Sequence, residues 1–98
     1  MQIKQNQVAE KMTFEIVGRI DTTTAPSLET AINHLDSSVK DLVLDMKGVE
    51  YISSAGLRVL LAAQKKMSKV GGLKLTGVHD TVMEVFEMTG FTDILVIE

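Results

Sequence analysis

Residues 41–72 read DLVLDMKGVEYISSAGLRVLLAAQKKMSKVGG. The stretch opens on Leu42, Val43 and Leu44, a continuous apolar run held between Asp41 and Asp45. Such a run reads as a strand buried on both faces, the pattern of a parallel sheet. Met46-Lys47-Gly48 leads out of it, a second short segment covers residues 49–52, and Ser53-Ser54 breaks the apolar pattern. Residues 55–69 then favour helix: Leu57, Val59, Leu60, Leu61, Ala62, Ala63 and Met67 make a wide apolar arc. Lys65, Lys66 and Lys69 suit the negative end of the helix dipole and are expected as a solvated face. Gly71-Gly72 offers a left-handed stop, followed by a strand over residues 73–76. A strand, a long buried helix and a second strand make a βαβ unit, and the fold class is α/β.

Upstream, Met12, Phe14 and Ile16 alternate with Thr13 and Glu15, which predicts a half-buried strand ending at Gly18. Residues 3–8 form a weaker strand, joined to it through Ala9-Glu10-Lys11 as an antiparallel hairpin. Thr24-Ala25-Pro26 starts a helix, with Thr positioned to cap and Pro in the first turn. Its inner face is Leu28, Ala31, Ile32 and Leu35. Downstream, Asp80 is expected to cap a third helix with Val82, Met83, Val85 and Phe86 facing inward and Gly90 as its stop; residues 94–97 are a last strand. The order is β-β-α-β-α-β-α-β, a mixed sheet in a single domain over residues 1–98.

A chain of 98 residues is one domain by size. Its 10.7 kDa predicts roughly 5,500 Å² of folded surface. Net charge is −3 with both signs dispersed, which argues against nonspecific nucleic-acid binding and against a polybasic membrane anchor. With no Cys, disulfide frameworks, thiol nucleophiles and Cys-based metal sites are excluded. Residues 1–10 are polar, unlike a signal peptide, and no apolar run spans a bilayer. A cytoplasmic location is the expectation.

His34 and His79 show no metal spacing, the carboxylates are dispersed, and there is no phosphate-binding glycine loop, so neither a catalytic centre nor a cofactor is expected. The serine turn is less ordinary. Functional groups of open α/β sheets gather at the carboxyl ends of strands. Ser53 and Ser54 lie there, at a helix N-terminus where free N–H groups favour an anion. A serine here is either an N-cap or a phosphate acceptor. A nucleophile is the weakest reading, since no G-x-S-x-G motif or positioned His activates the hydroxyl.

Residues 45–61, DMKGVEYISSAGLRVLL, resemble the phosphorylation-site region of the STAS family: bacterial anti-sigma factor antagonists and the related cytoplasmic domains of sulfate transporters. Gly18-Arg19-Ile20-Asp21 with Thr24-Ala25, Gly71-Gly72-Leu73-Lys74-Leu75 and Val85-Phe86-Glu87-Met88-Thr89-Gly90-Phe91 resemble three further family stretches in the right order. The resemblance implies a mixed sheet with helices packed largely on one face. It implies partner switching: the unphosphorylated antagonist binds an anti-sigma factor that is also a serine kinase, releasing a sigma factor. Phosphorylation ends binding, and a serine phosphatase resets the protein.

The family acceptor lies two residues before the motif glycine, here Gly56, so the implied acceptor is Ser54. Ser53 stands where many antagonists carry Asp and is the less favoured acceptor; Ala55 stands where many carry Ser or Thr. Asp21, Thr22, Ser53, Ser54, Ala55, Gly56 and Arg58 are the expected partner-binding residues. Asp45 is expected near the same end of the sheet as Asp21, with end-of-strand capping as its simpler role. The competing reading is a standalone STAS subunit of a transporter or lipid-trafficking complex, with no phosphorylation cycle.

Overall fold

The computed structural model describes residues 1–98. Alternation of apolar and polar side chains builds β2, Lys11–Val17, which buries Met12, Phe14 and Ile16 and exposes Glu15. Strand β1, Gln2–Val8, pairs antiparallel with it in the register Val8↔Lys11 through Gln2↔Val17. The two-residue turn between them holds Ala9 at φ 55, the one non-glycine residue in the left-handed region.

The next strands are β3, Asp41–Gly48, β4, Gly72–Thr76, and β5, Val96–Ile97, each parallel to its predecessor. The sheet is therefore mixed, with strands in chain order. Helices α1, Ala25–Asn33, α2, Ser54–Ser68, and α3, Asp80–Thr89, connect the parallel strands, and a 3-10 turn at Phe91–Asp93 precedes β5.

Register decides which sheet face the helices cover. Met12, Leu42 and Leu73 lie side by side, as do Phe14, Leu44 and Leu75, and all six are buried in one core with Leu28 and Ile32 of α1, Leu60, Ala63 and Met67 of α2, and Val82 and Phe86 of α3. The helices thus share one face. Burial of the central strand on both faces is only half right. Val43 is buried yet lies outside that core, on the open face, between its register partners Thr13 and Lys74. Neighbouring side chains, not a helix, cover it. The accessible surface is 5529 Å², as the mass predicts.

Several local expectations change. Residues 49–52 are irregular apart from the bridge residue Ile52, not a strand, and the last strand is two residues long because residues 91–93 coil first. Gly71 and Gly72 do not adopt left-handed φ. Gly71 is required by closeness instead, since a Cβ there would lie 1.9 Å from the Lys40 carbonyl oxygen. Gly90 does terminate α3, at φ 79. The N-cap of α3 is His79 rather than Asp80, and its ring Nε2 meets the Lys47 carbonyl oxygen. Lys66 is not merely solvated: its Nζ donates to the Ile32 carbonyl oxygen at 2.8 Å, joining α2 to the C-terminal turn of α1.

Candidate functional site at the serine turn

The chain leaving β2 and the connection from β3 to α2 meet in one parallel bridge, Ile20↔Ile52. Ile20 N–H donates to the Tyr51 carbonyl at 3.1 Å and Ser53 N–H to the Ile20 carbonyl at 2.8 Å. Both isoleucines are buried and form the floor of the site. The first turn of α2 rests on them. A Cβ at Gly56 would sit 2.7 Å from Ile20 Cγ2 and 2.7 Å from Ile52 Cγ1, so only glycine allows this approach. Gly56 is buried and acts as a spacer.

The two serines have different positions. Ser53 is the N-cap of α2, extended at φ −94 and ψ 173, and its Oγ accepts from Gly56 N–H at 3.3 Å. Ser54 is the first helical residue and is exposed. No acidic side chain sits in the first turn, so the N-terminal partial charge of α2 is uncompensated. Arg58 is exposed one turn on, at the i+4 position from Ser54 and on the same helix face. Ala55 is half-buried beside them.

Asp21 organises the facing loop. Its Oδ1 accepts from Thr23 Oγ1 at 2.7 Å and from the Thr23 and Thr24 N–H groups at 3.0 Å each. The Thr23 hydroxyl bond, aided by the Thr24 and Thr23 amides and opposed by burial, lowers its pKa from 3.8 to about 2. Asp21 is therefore a carboxylate at neutral pH. Thr24 is the N-cap residue of α1, as the sequence predicts, but its side chain bonds no helix amide. Its Oγ1 accepts from Asp21 N–H at 2.8 Å and donates to the Arg19 carbonyl at 2.7 Å, and the Asp21 carbonyl accepts from Ala25 N–H at 2.8 Å. Thr22 is exposed at the tip of this loop.

Asp45 does not join the site. It lies on the open sheet face, in register with Glu15, and its carboxylate pairs with Lys47 Nζ and accepts from Lys47 N–H. The Lys47 ammonium is the main cause of its lowered pKa. His34 is exposed at the C-cap of α1, bonded to the Thr30 carbonyl, and His79 is held at Lys47, so neither histidine belongs to the serine turn.

Sequence reading did not single out two residues that the structure brings here. The Arg19 guanidinium lies 4.1 Å above the Tyr51 ring centroid, with its Nε 3.6 Å from Asp21 Oδ2. Arg19 precedes Ile20 and Tyr51 precedes Ile52, a relation that gains meaning only through the bridge.

The family model described as STAS domain matches residues 1–98. The chain belongs to the STAS family. This STAS domain is 34% identical over 94 residues to the anti-sigma-B factor antagonist of Bacillus subtilis (strain 168), covering 95% of this chain and 84% of that protein. Among solved structures it is similar to an anti-sigma factor antagonist from Mycobacterium paratuberculosis, at 27% identity and a TM-score of 0.87, covering 98% of this chain and 83% of that one. It is also similar to a sulfate transporter family protein from Wolinella succinogenes, at 26% identity and a TM-score of 0.79, covering 93% and 80% of the two chains. No helix of this STAS domain is long and apolar enough to cross a membrane.

Proposed function

We propose that this chain, acting as a single domain in the cytoplasm, is a non-enzymatic anti-sigma factor antagonist. Unphosphorylated, it binds an anti-sigma factor that is also a serine kinase and so releases a sigma factor. Phosphorylation of Ser54 ends that binding, and a serine phosphatase restores it. The observation that carries the reading is the exposed Ser54 hydroxyl at the first position of α2, in a chain 34% identical to an anti-sigma-B factor antagonist. Ser54 is favoured over Ser53 because the Ser53 hydroxyl is half-buried and already bonded to Gly56 N–H.

A phosphate suits this position as a switch. It brings roughly −1.5 to −2 charges, and the helix dipole offsets only about 0.3–1 kcal/mol of their cost, so α2 survives while the surface becomes negative. A partner carboxylate about 6 Å away would be repelled by roughly 3 kcal/mol per unit charge at an effective dielectric near 20. A loss of that size weakens binding by about two decades. The docking surface comprises Asp21, Thr22, Ser53, Ser54, Ala55 and Arg58, with Gly56 setting the height of the turn.

The test is incubation with the cognate anti-sigma kinase and ATP, read by intact mass. One phosphate should be added to wild type and none to Ser54→Ala. Ser54→Asp should keep the circular dichroism spectrum and lose the kinase in pull-down. A second reading, a subunit of a transporter assembly, draws on the likeness to the Wolinella succinogenes protein. Absence of added phosphate, with wild type failing to hold the kinase, would favour it.

A further inference from the structure

The parallel bridge does more than seat α2. In paired strands, residues flanking a bridge pair point away from it, so with Ile20 and Ile52 turned into the core, Arg19 and Tyr51 emerge together on the outer side. Both are exposed there, Arg19 with 65% of its side-chain surface open and Tyr51 at 42%. The ring holds the guanidinium from below, and Asp21 Oδ2 stands at 3.6 Å, an ion pair beyond hydrogen-bond distance. The N–H fork of Arg19 therefore remains available. It is a rigid donor set that fits a carboxylate bidentately.

Two residues further along each strand are Asp21 and Ser53, on the same outer side, and Ser54 follows at the start of α2. The stack is thus continuous with the serine turn. Arg and Tyr are, with Trp, the side chains enriched among residues that dominate interface energies, and a guanidinium already stacked loses less freedom on docking than a free one. Nothing in the fold requires either polar end. The core contacts at this point are made by Ile20 and Ile52, and the backbone hydrogen bonds through Ile20, Tyr51 and Ser53 need no side chain.

We infer that the Arg19–Tyr51 stack is a recognition element of the docking surface, taking a carboxylate side chain of the anti-sigma kinase beside the Ser54 hydroxyl. The inference rests on the antagonist reading above and adds to it the partner chemistry: an acidic residue placed to meet Arg19. A phosphate on Ser54 would bring negative charge next to that incoming carboxylate. The guanidinium thus ties binding and its reversal to one surface.

The test is titration of the purified cognate anti-sigma kinase, with ADP so that no phosphate is transferred, against wild type and variants at several salt concentrations. Arg19→Ala should weaken binding about tenfold or more, Arg19→Glu further, and both should flatten the salt dependence, as loss of an interfacial charge does. Tyr51→Phe keeps the ring and should bind within about twofold of wild type, whereas Tyr51→Ala should approach Arg19→Ala. The double variant should be little worse than Arg19→Ala alone, because the two act as a unit. Melting temperatures report any loss of fold, and Tyr51→Phe serves as the folded comparison.

Binding by Arg19→Ala and Arg19→Glu within about twofold of wild type would overturn the inference while leaving the Ser54 switch intact. So would a loss of affinity with an unchanged salt slope, the sign of a residue that only props up the loop. Failure of wild type to bind the kinase would instead refute the antagonist role, and the inference with it.

Discussion

Replacing Gly56 by alanine adds one methyl group at the point where α2 comes down on the bridge. That carbon would stand 2.7 Å from Ile20 Cγ2 and 2.7 Å from Ile52 Cγ1, far inside van der Waals contact. Both isoleucines are branched at Cβ and packed in the core, at 0% and 4% exposure, so neither can rotate aside into open space. Overpacking of this kind costs about 1–3 kcal/mol. Alanine returns up to about 1 kcal/mol through better helix propensity. Two contacts at 2.7 Å put the cost in the upper part of that range, about 2–3 kcal/mol, so the expected net loss is about 1–3 kcal/mol, a fall in Tm of roughly 5–15 °C for a domain of this size. Thermal unfolding by circular dichroism measures it. Gly72→Ala is the control: its nearest non-adjacent atom is Asp41 Oδ1 at 4.0 Å, and it should lie within about 0.5 kcal/mol of wild type. A Gly56→Ala protein melting at or above wild type would refute the close-approach argument. The same variant lifts Ser53 and Ser54 away from Ile20 and should weaken kinase binding more than its stability loss alone would.

Ser53→Ala removes the N-cap bond to Gly56 and should cost about 1 kcal/mol in urea unfolding, while phosphate incorporation at Ser54, read by intact mass, persists. Lys66→Ala loses the bond to the Ile32 carbonyl and a cation at the C-terminal end of α1, and should cost about 0.5–1.5 kcal/mol by the same assay. Asp21 has a folded pKa lowered to about 2 from 3.8, so the stability it contributes is complete above pH 4 and is lost as pH falls towards 2. Wild type should therefore lose more of its urea midpoint than Asp21→Asn between pH 5 and pH 2, and equal losses would remove Asp21 from the acid response.

The alternation at residues 12–16, the apolar run at 42–44 and the helical spacing of Leu28, Ala31 and Ile32 are local patterns. They are enough to order the elements, to make the first pair antiparallel and to place two serines at the head of the longest helix. The motif around Gly56 likewise marks the serine turn. Thr24 does stand at the N-cap of α1 but its hydroxyl turns back to Asp21 and Arg19, and Asp80 misled, because cap geometry depends on where the preceding loop folds: His79 is drawn to Lys47 and becomes the N-cap of α3.

What the sequence alone determined is therefore the set of elements, their order and the serine-bearing end of α2, since each depends on backbone preferences and side-chain periods within a few residues. The tertiary structure decided the rest. It chose between two hydroxyls, capping with Ser53 and exposing Ser54, and it turned Asp45 to the open face. It also brought Arg19 onto Tyr51, and Lys66 onto a carbonyl 34 residues away. Such contacts form only when the sheet register fixes which distant side chains share a face, and no local pattern of residues encodes that register.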